Sequence, residues 1–193
     1  MAKLTFWAPA KPLRINQSWG IFNPAYQQFG FSRHNGTDIA VGDDKKLYWP
    51  IDNCVVYDTE FGEATGWRIK ANSKDFYEFP DGKHAYVNVI MMHMDHKSPV
   101  PVGTVLNVGD DVGVPDNTGF STGPHTHVMG RRVDANGVLM DTNDADNSFD
   151  LMPYWNGYYA IDKTVLVGTM KALVGVLQQM VAALMSKPKV ISN

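Results

Sequence analysis

Between Val41 and about Val114, short apolar runs recur between turn-forming residues: Leu47-Tyr48-Trp49, Cys54 to Tyr57, Trp67-Arg68-Ile69, Tyr86 to Met92, Val100 to Val108 and Val112 to Val114. Runs of this length, punctuated by glycine, proline, asparagine and aspartate, predict strands joined by turns, arranged as an antiparallel sheet or a flattened barrel. Residues 1 to 33 alternate apolar patches with turn formers (Pro9, Pro12, Gly20, Asn23-Pro24, Gly30) and carry the aromatics Trp19, Phe22, Tyr26, Phe29 and Phe31. They read as strand and loop leading to a site. Asp134 to Asn147, rich in Asp and Asn, reads as a solvated surface loop without the full ligand spacing of a calcium site.

The pattern changes near the C-terminus. From about Thr164 to Met185 the chain is strongly apolar with almost no turn formers, and Lys171, Gly175, Gln178, Gln179 and Ser186 fall near one helical face. This predicts a C-terminal α-helix with a narrow polar stripe, and divides the chain into a body over 1–160 and a tail over 161–193. Residues 164–186 have three readings: docking onto the body or self-association with a second copy, contact with a membrane surface, or a true span. Lys171 and Gln178-Gln179 weigh against the span.

Composition narrows the function classes. The 193 residues are 44% hydrophobic and 19% charged, the balance of an ordinary globular chain. A net charge of -3, with no run of basic residues, leaves out the electrostatic footprint of a nucleic-acid binder. The single cysteine, Cys54, precludes an intramolecular disulfide and reads as a small core residue. Pro9, Lys11, Pro12 and Arg14 break any apolar stretch near the N-terminus, so no classical export signal is expected.

The chemistry-bearing residues are histidines, at 34, 84, 93, 96, 125 and 127. In His125-Thr126-His127 the i, i+2 spacing places both imidazoles on one face of a strand. In His34-Asn35-Gly36-Thr37-Asp38 an imidazole and a carboxylate can reach one ion if the chain turns at Gly36. On spacing alone each pattern also reads as a surface or satisfied core feature. His93 ends an apolar run expected to be a buried strand, whereas His84 and His96 read as residues of solvated turns.

In this order and setting, His34-Asn35-Gly36-Thr37-Asp38-Ile39-Ala40, His93-Met94 and Gly119-Phe120-Ser121-Thr122-Gly123-Pro124-His125-Thr126-His127 resemble the lysostaphin/LytM-type zinc endopeptidases. The match runs from about Gln17-Ser18-Trp19-Gly20 to Arg131, with Asn136-Gly137 fitting a following turn, and leaves out the tail. The resemblance implies a β-sheet body with a narrow groove, of the duplicated hybrid-motif or flattened-barrel type. It also implies one Zn2+ held by His34, Asp38 and His127, a catalytic pair formed by His93 and His125, and peptidoglycan as partner. The implied activity is cleavage of stem peptides or cross-bridges; with no export signal expected, the chain looks like a phage lysis enzyme made in the cytoplasm and acting on the cell wall after release, and a virion-attached lysin or an autolysin exported by another route would share the same motifs.

No H-E-x-x-H helix is present, so the glutamate base of thermolysin-like enzymes is missing. Many relatives have an aromatic residue two before the equivalent of His93 and Phe-Glu after the H-x-H, where this chain has Met91 and Val128-Met129. Trp19, Phe22, Tyr26 and Trp67 are candidates for the groove wall, and equally for the core. Two other readings stand beside the enzyme: a non-catalytic wall-binding or scaffold module of the same fold, and a biotinyl/lipoyl-type carrier suggested by Val102 to Asp110. The carrier reading lacks a lysine near that segment to modify.

Overall fold

The computed structural model describes residues 3–141, 147–159 and 178. The chain divides into two units, Met1–Ala160 and Ile161–Asn193, and all named elements lie in the first. The strands are β1 (Phe6–Ala8), β2 (Ile15–Gln17), β3 (Thr37–Ala40), β4 (Leu47–Tyr48), β5 (Cys54–Asp58), β6 (Phe61–Gly62) and β7 (Gly66–Ser73), followed by β8 (Tyr77–Glu78), β9 (His84–Met94), β10 (Val105–Leu106), β11 (Asp111–Gly113), β12 (His125–Val133) and β13 (Trp155–Tyr159). The main sheet runs β10-β5-β7-β9-β12-β3-β2, with β6 beside β7 and β8 beside β9, and its pairings are antiparallel. Two small ladders, β1 with β13 and β4 with β11, lie outside it.

The sheet is open. Its end strands, β10 and β2, are not paired with each other among the described residues, which corrects the flattened-barrel expectation. Apolar runs at turn spacing report that strands exist, whereas closure depends on which strands meet at the edges, and edge pairing leaves no mark in the run itself. The expected C-terminal α-helix is likewise not upheld. Among the described residues the named helical elements are two 3-10 helices, Pro24–Phe29 and Met152–Tyr154, and residues 164–186 fall outside the description apart from the single helical residue Gln178.

One face of the sheet is packed by the core. Along β9, Ala85, Val87, Val89 and Met91 alternate onto that face and are fully buried, joined by Val128 from β12 and Ile69 and Ala71 from β7. Trp49, Ile51, Leu4 and Phe6 close the core from outside the main sheet, and Cys54 is buried and unpaired as a thiol, as its apolar setting predicts. On the opposite face Ile90, Met92 and Met129 form a second, smaller apolar cluster. The central strands are therefore apolar on both faces, and their run of burial reflects a core beneath and a groove above.

The segment before β3 contains a 3-10 helix where strand and loop were expected. Asn23 caps it by accepting from the Ala25 N–H, Pro24 opens it, and Gly30 ends it in the left-handed region at φ 80°. This is the Asn-Pro start and glycine stop of a helical turn, legible in the sequence once read as caps rather than as loop punctuation.

These contacts separate two apolar side chains that look alike in the sequence. Met91→Ala should lower the free energy of unfolding by about 2–5 kcal/mol. Phe22, 67% exposed, should change it by less than about 0.5 kcal/mol on replacement by Ala. Urea unfolding of the two variants measures the difference.

Candidate metal centre

Two strand pairings assemble the site. In the β12–β3 register His127 stands opposite Asp38, and in the β12–β9 register it stands opposite Met92. The alternation of a strand then sends His125, His127, Met129 and Arg131 to the groove face while Thr126 and Val128 are buried on the core side. His34 arrives from the loop before β3, where its backbone exchanges hydrogen bonds with Gly20 and Ile21.

His34 Nε2, His127 Nδ1 and Asp38 Oδ1 form a triangle with edges of 3.0, 3.0 and 2.9 Å. Tetrahedral zinc with bonds of about 2.0–2.1 Å to nitrogen or oxygen separates neighbouring ligand atoms by roughly 3.3 Å, so a few tenths of an ångström of expansion fits the ion. Protons cannot satisfy the triangle. The Nδ1 of His34 lies 2.9 Å from the Ser18 carbonyl, which can only accept, so this nitrogen carries the proton and Nε2 presents a lone pair. Two imidazole nitrogens and a carboxylate oxygen then converge with at most one proton to share when the rings are neutral. A cation at the centre resolves all three contacts. These residues are the one compact group of ligating atoms found among the described residues, and they form a one-ion zinc site.

The surroundings tune the ligands. Burial by itself would raise the Asp38 carboxyl, but its contacts with His125, His127 and His34 outweigh that and hold it well below the usual carboxylate range. Burial pushes His127 down, keeping the imidazole neutral as a ligand must be. Tyr26, from the 3-10 helix, stacks on His34 with ring centres 5.5 Å apart. Gly36 does not serve as a positive-φ turn. A Cβ there would stand 2.4 Å from Nε2 of His127 and 2.6 Å from the Val128 carbonyl oxygen, so the missing side chain is what lets the ring lie against this strand.

His93 reaches the same groove by a break in strand geometry. Strict alternation after Met91 (core) and Met92 (groove) would turn residue 93 toward the core. Opposite this point, Trp67 and Ile69 of β7 pair with Met94 and Met91, so β9 carries one extra residue, and His93 has φ 64°. This bulge returns the imidazole to the groove side, where its ring lies 4.8 Å from that of His125 and 6.2 Å from that of His127. Its Nδ1 donates to the Thr118 carbonyl at 2.8 Å, leaving Nε2 as an acceptor, and burial pushes its pKa down to about 4. His125 is held similarly, with Nδ1 2.7 Å from the Gly123 carbonyl, and its Nε2 lies 3.5 Å from Asp38. Burial lowers its pKa, but the contact with Asp38 and the Gly123 hydrogen bond outweigh this and raise it.

A cavity of about 480 Å³ covers this face. Of the aromatics expected at the groove, Tyr26 lines it; Phe29 and Phe120 also do, packed edge to face at 4.8 Å. Trp67 packs on Phe61 and against the core, Trp19 donates to Ser148, and Phe22 is exposed. His96 is exposed, as a turn histidine should be, whereas His84 opens β9 half-buried and stacked on Phe76. The sequence reading passed over the carbonyls of Ser18, Thr118 and Gly123, which orient three histidines, and the cations Lys70 and Arg131 on the groove floor. Backbone acceptors leave no residue-type mark, but Arg131 could have been found by extending the i, i+2 count from His127.

No protein-family model matches the chain, and no curated protein matches it in sequence. Solved structures do. A zinc-containing peptidase from Vibrio cholerae superposes with a TM-score of 0.55 at 19% identity, covering 78% of this chain and 40% of that one. The catalytic domain of lysostaphin, an antimicrobial peptidase from Staphylococcus simulans, gives 0.53 at 18% identity over 74% of this chain and 91% of the domain. LytU gives 0.51 at 22% identity over 75% and 85%. The fold is that of the lysostaphin/LytM-type peptidases. This chain spans two fifths of the length of the Vibrio protein, but nearly the whole lysostaphin catalytic domain. Joined to that fold, the buried His34, Asp38 and His127 site marks a zinc metalloenzyme.

Two outcomes test the site. Gly36→Ala should weaken zinc binding roughly ten- to a hundredfold by displacing His127, measured by competition with a chromophoric chelator. In the zinc-free protein, a His93 pKa near 4 against an ordinary 6.5 means that between these values the unfolded chain holds a proton the folded chain lacks. Stability should therefore fall as the pH drops through that window. His93→Asn, which tolerates the left-handed backbone, should reduce the slope by up to about 1.4 kcal/mol per pH unit in urea unfolding.

Proposed function

We propose that the chain is a zinc-dependent endopeptidase that hydrolyses peptide bonds of peptidoglycan. The observation that carries this reading is the placement of two further histidines, each with one nitrogen tied to a carbonyl, on the same groove as a buried His-Asp-His ligand set. Bound zinc supplies Lewis acidity toward a carbonyl and a lowered pKa for its water. His93, neutral and with a free Nε2, accepts a proton from the attacking water, and His125 returns a proton to the leaving amine or steadies the developing oxyanion. Ile90, Met92 and Met129 give the groove floor an apolar surface against which a peptide can lie beside the metal ligands. Release to the cell wall during host lysis fits a chain of this type and belongs to the same proposal.

The non-catalytic binding module makes the opposite prediction. Zinc content and loss of turbidity of purified peptidoglycan distinguish the two readings in three forms of the chain. His127→Ala should lose both metal and activity. His125→Ala should keep most of the metal and lose about 10²–10⁴-fold in rate. A zinc-loaded unsubstituted chain that leaves peptidoglycan and its peptides intact would make this a binding module.

A further inference from the structure

Strand register organises the groove floor into rows that cross the sheet. The first row holds Asp38, His127 and Met92; the next holds Met129, Ile90 and Lys70; the third holds Arg131, Asn88 and Asn72. Arg131 lies four residues along β12 from His127, about 13 Å at the rise of a strand, and both it and Lys70 line the same cavity as the metal ligands.

The charge of this third row is unbalanced. Lys70, the other cation lining the cavity, already has a carboxylate, Asp58, at 3.1 Å, which also binds Arg68 at 2.9 Å. Arg131 forms no ion pair or hydrogen bond among the described residues, and its Nε is buried without a partner. Around it, Asn88 donates to the Tyr57 hydroxyl and to Asn72 Oδ1, so these groups satisfy one another and none is an anion. Burial lowers the pKa of Arg131, the mark of a guanidinium stripped of water without a counter-charge. Apart from Asp38, which belongs to the metal, no acid among the described residues lines the cavity. A half-buried arginine left unpaired is costly, and a planar carboxylate is the group its fork fits.

We infer that Arg131, on the same groove floor as Lys70, is a subsite for a free carboxylate of the peptide substrate. The inference rests on the endopeptidase reading and sharpens it, because it selects acidic stem peptides over cross-bridges that lack a carboxylate. Arg131 binds and positions; it does not touch the reacting bond.

The test uses the zinc-loaded full chain and stem pentapeptides in two pairs, one free or amidated at the glutamyl α-carboxyl and one free or amidated at the C-terminus. Dissociation constants come from calorimetry in the cold, before appreciable turnover. One of the two free carboxylates should improve binding roughly ten- to a hundredfold over its amide, identifying which group docks. Arg131→Gln should abolish that ratio with zinc content unchanged, and Arg131→Lys should restore part of it. Equal constants within both pairs, no measurable binding of the free forms, or parallel weakening of acid and amide in Arg131→Gln overturns the inference. Failure to cleave any of these peptides or peptidoglycan would overturn the endopeptidase reading alone, since the binding ratio reads Arg131 without turnover.

Discussion

The pairing of His127 with Asp38 across β12 and β3 is the contact on which the site depends. It brings an imidazole and a carboxylate to 2.9 Å, and the loop carrying His34 has only to add a third atom at 3.0 Å from each. Three electron-rich atoms so close are a poor arrangement for an empty pocket and a good one for a dication. The register is itself held by the core. A slip of one residue would drive His125, His127 and Arg131 into the apolar face and expose Thr126 and Val128, so the burial that folds the sheet also protects the ligand geometry.

Around that triangle the backbone does much of the orienting. The carbonyls of Ser18, Thr118 and Gly123 each fix the tautomer of one histidine, and none of them comes from the strand that presents the ring it holds. Loop 118–124 is docked firmly enough to act this way. The Phe120 N–H donates to the Ala64 carbonyl and Thr118 Oγ1 accepts from the Trp67 N–H, while a Cβ on Gly119 would stand 2.2 Å from the Gly66 nitrogen. Close approach of two backbones at Gly66 and Gly119 is thus part of how His93 and His125 come to share a groove.

Much of this was legible in the residue pattern. The period-two spacing of His125 and His127 identified a strand face, and the apolar run before His93 identified the buried strand it ends. The ordered resemblance joined His34 and Asp38 to them. The C-terminal tail was equally plain as a pattern but lies outside the described residues, and the barrel expectation failed because short strands carry no record of their edge partners. The chain does bend at Gly36, as expected, but the second role of that glycine was missed for a related reason. A glycine that makes room for a ring 91 residues away looks, in sequence, like one that makes a turn.

By itself the sequence determined that the chain would build strands, that two histidines would share a strand face, and which side chains could ligate zinc. The first two follow from local periodicity and residue chemistry, and the ligand set is what the ordered resemblance implied. Tertiary structure alone decided that the sheet stays open among the described residues, that a one-residue bulge in β9 turns His93 back into the groove, and that no described residue supplies Arg131 with a counter-charge there. Each of these depends on which strands lie side by side and in what register, a choice made by packing over the whole core rather than by any segment's own pattern.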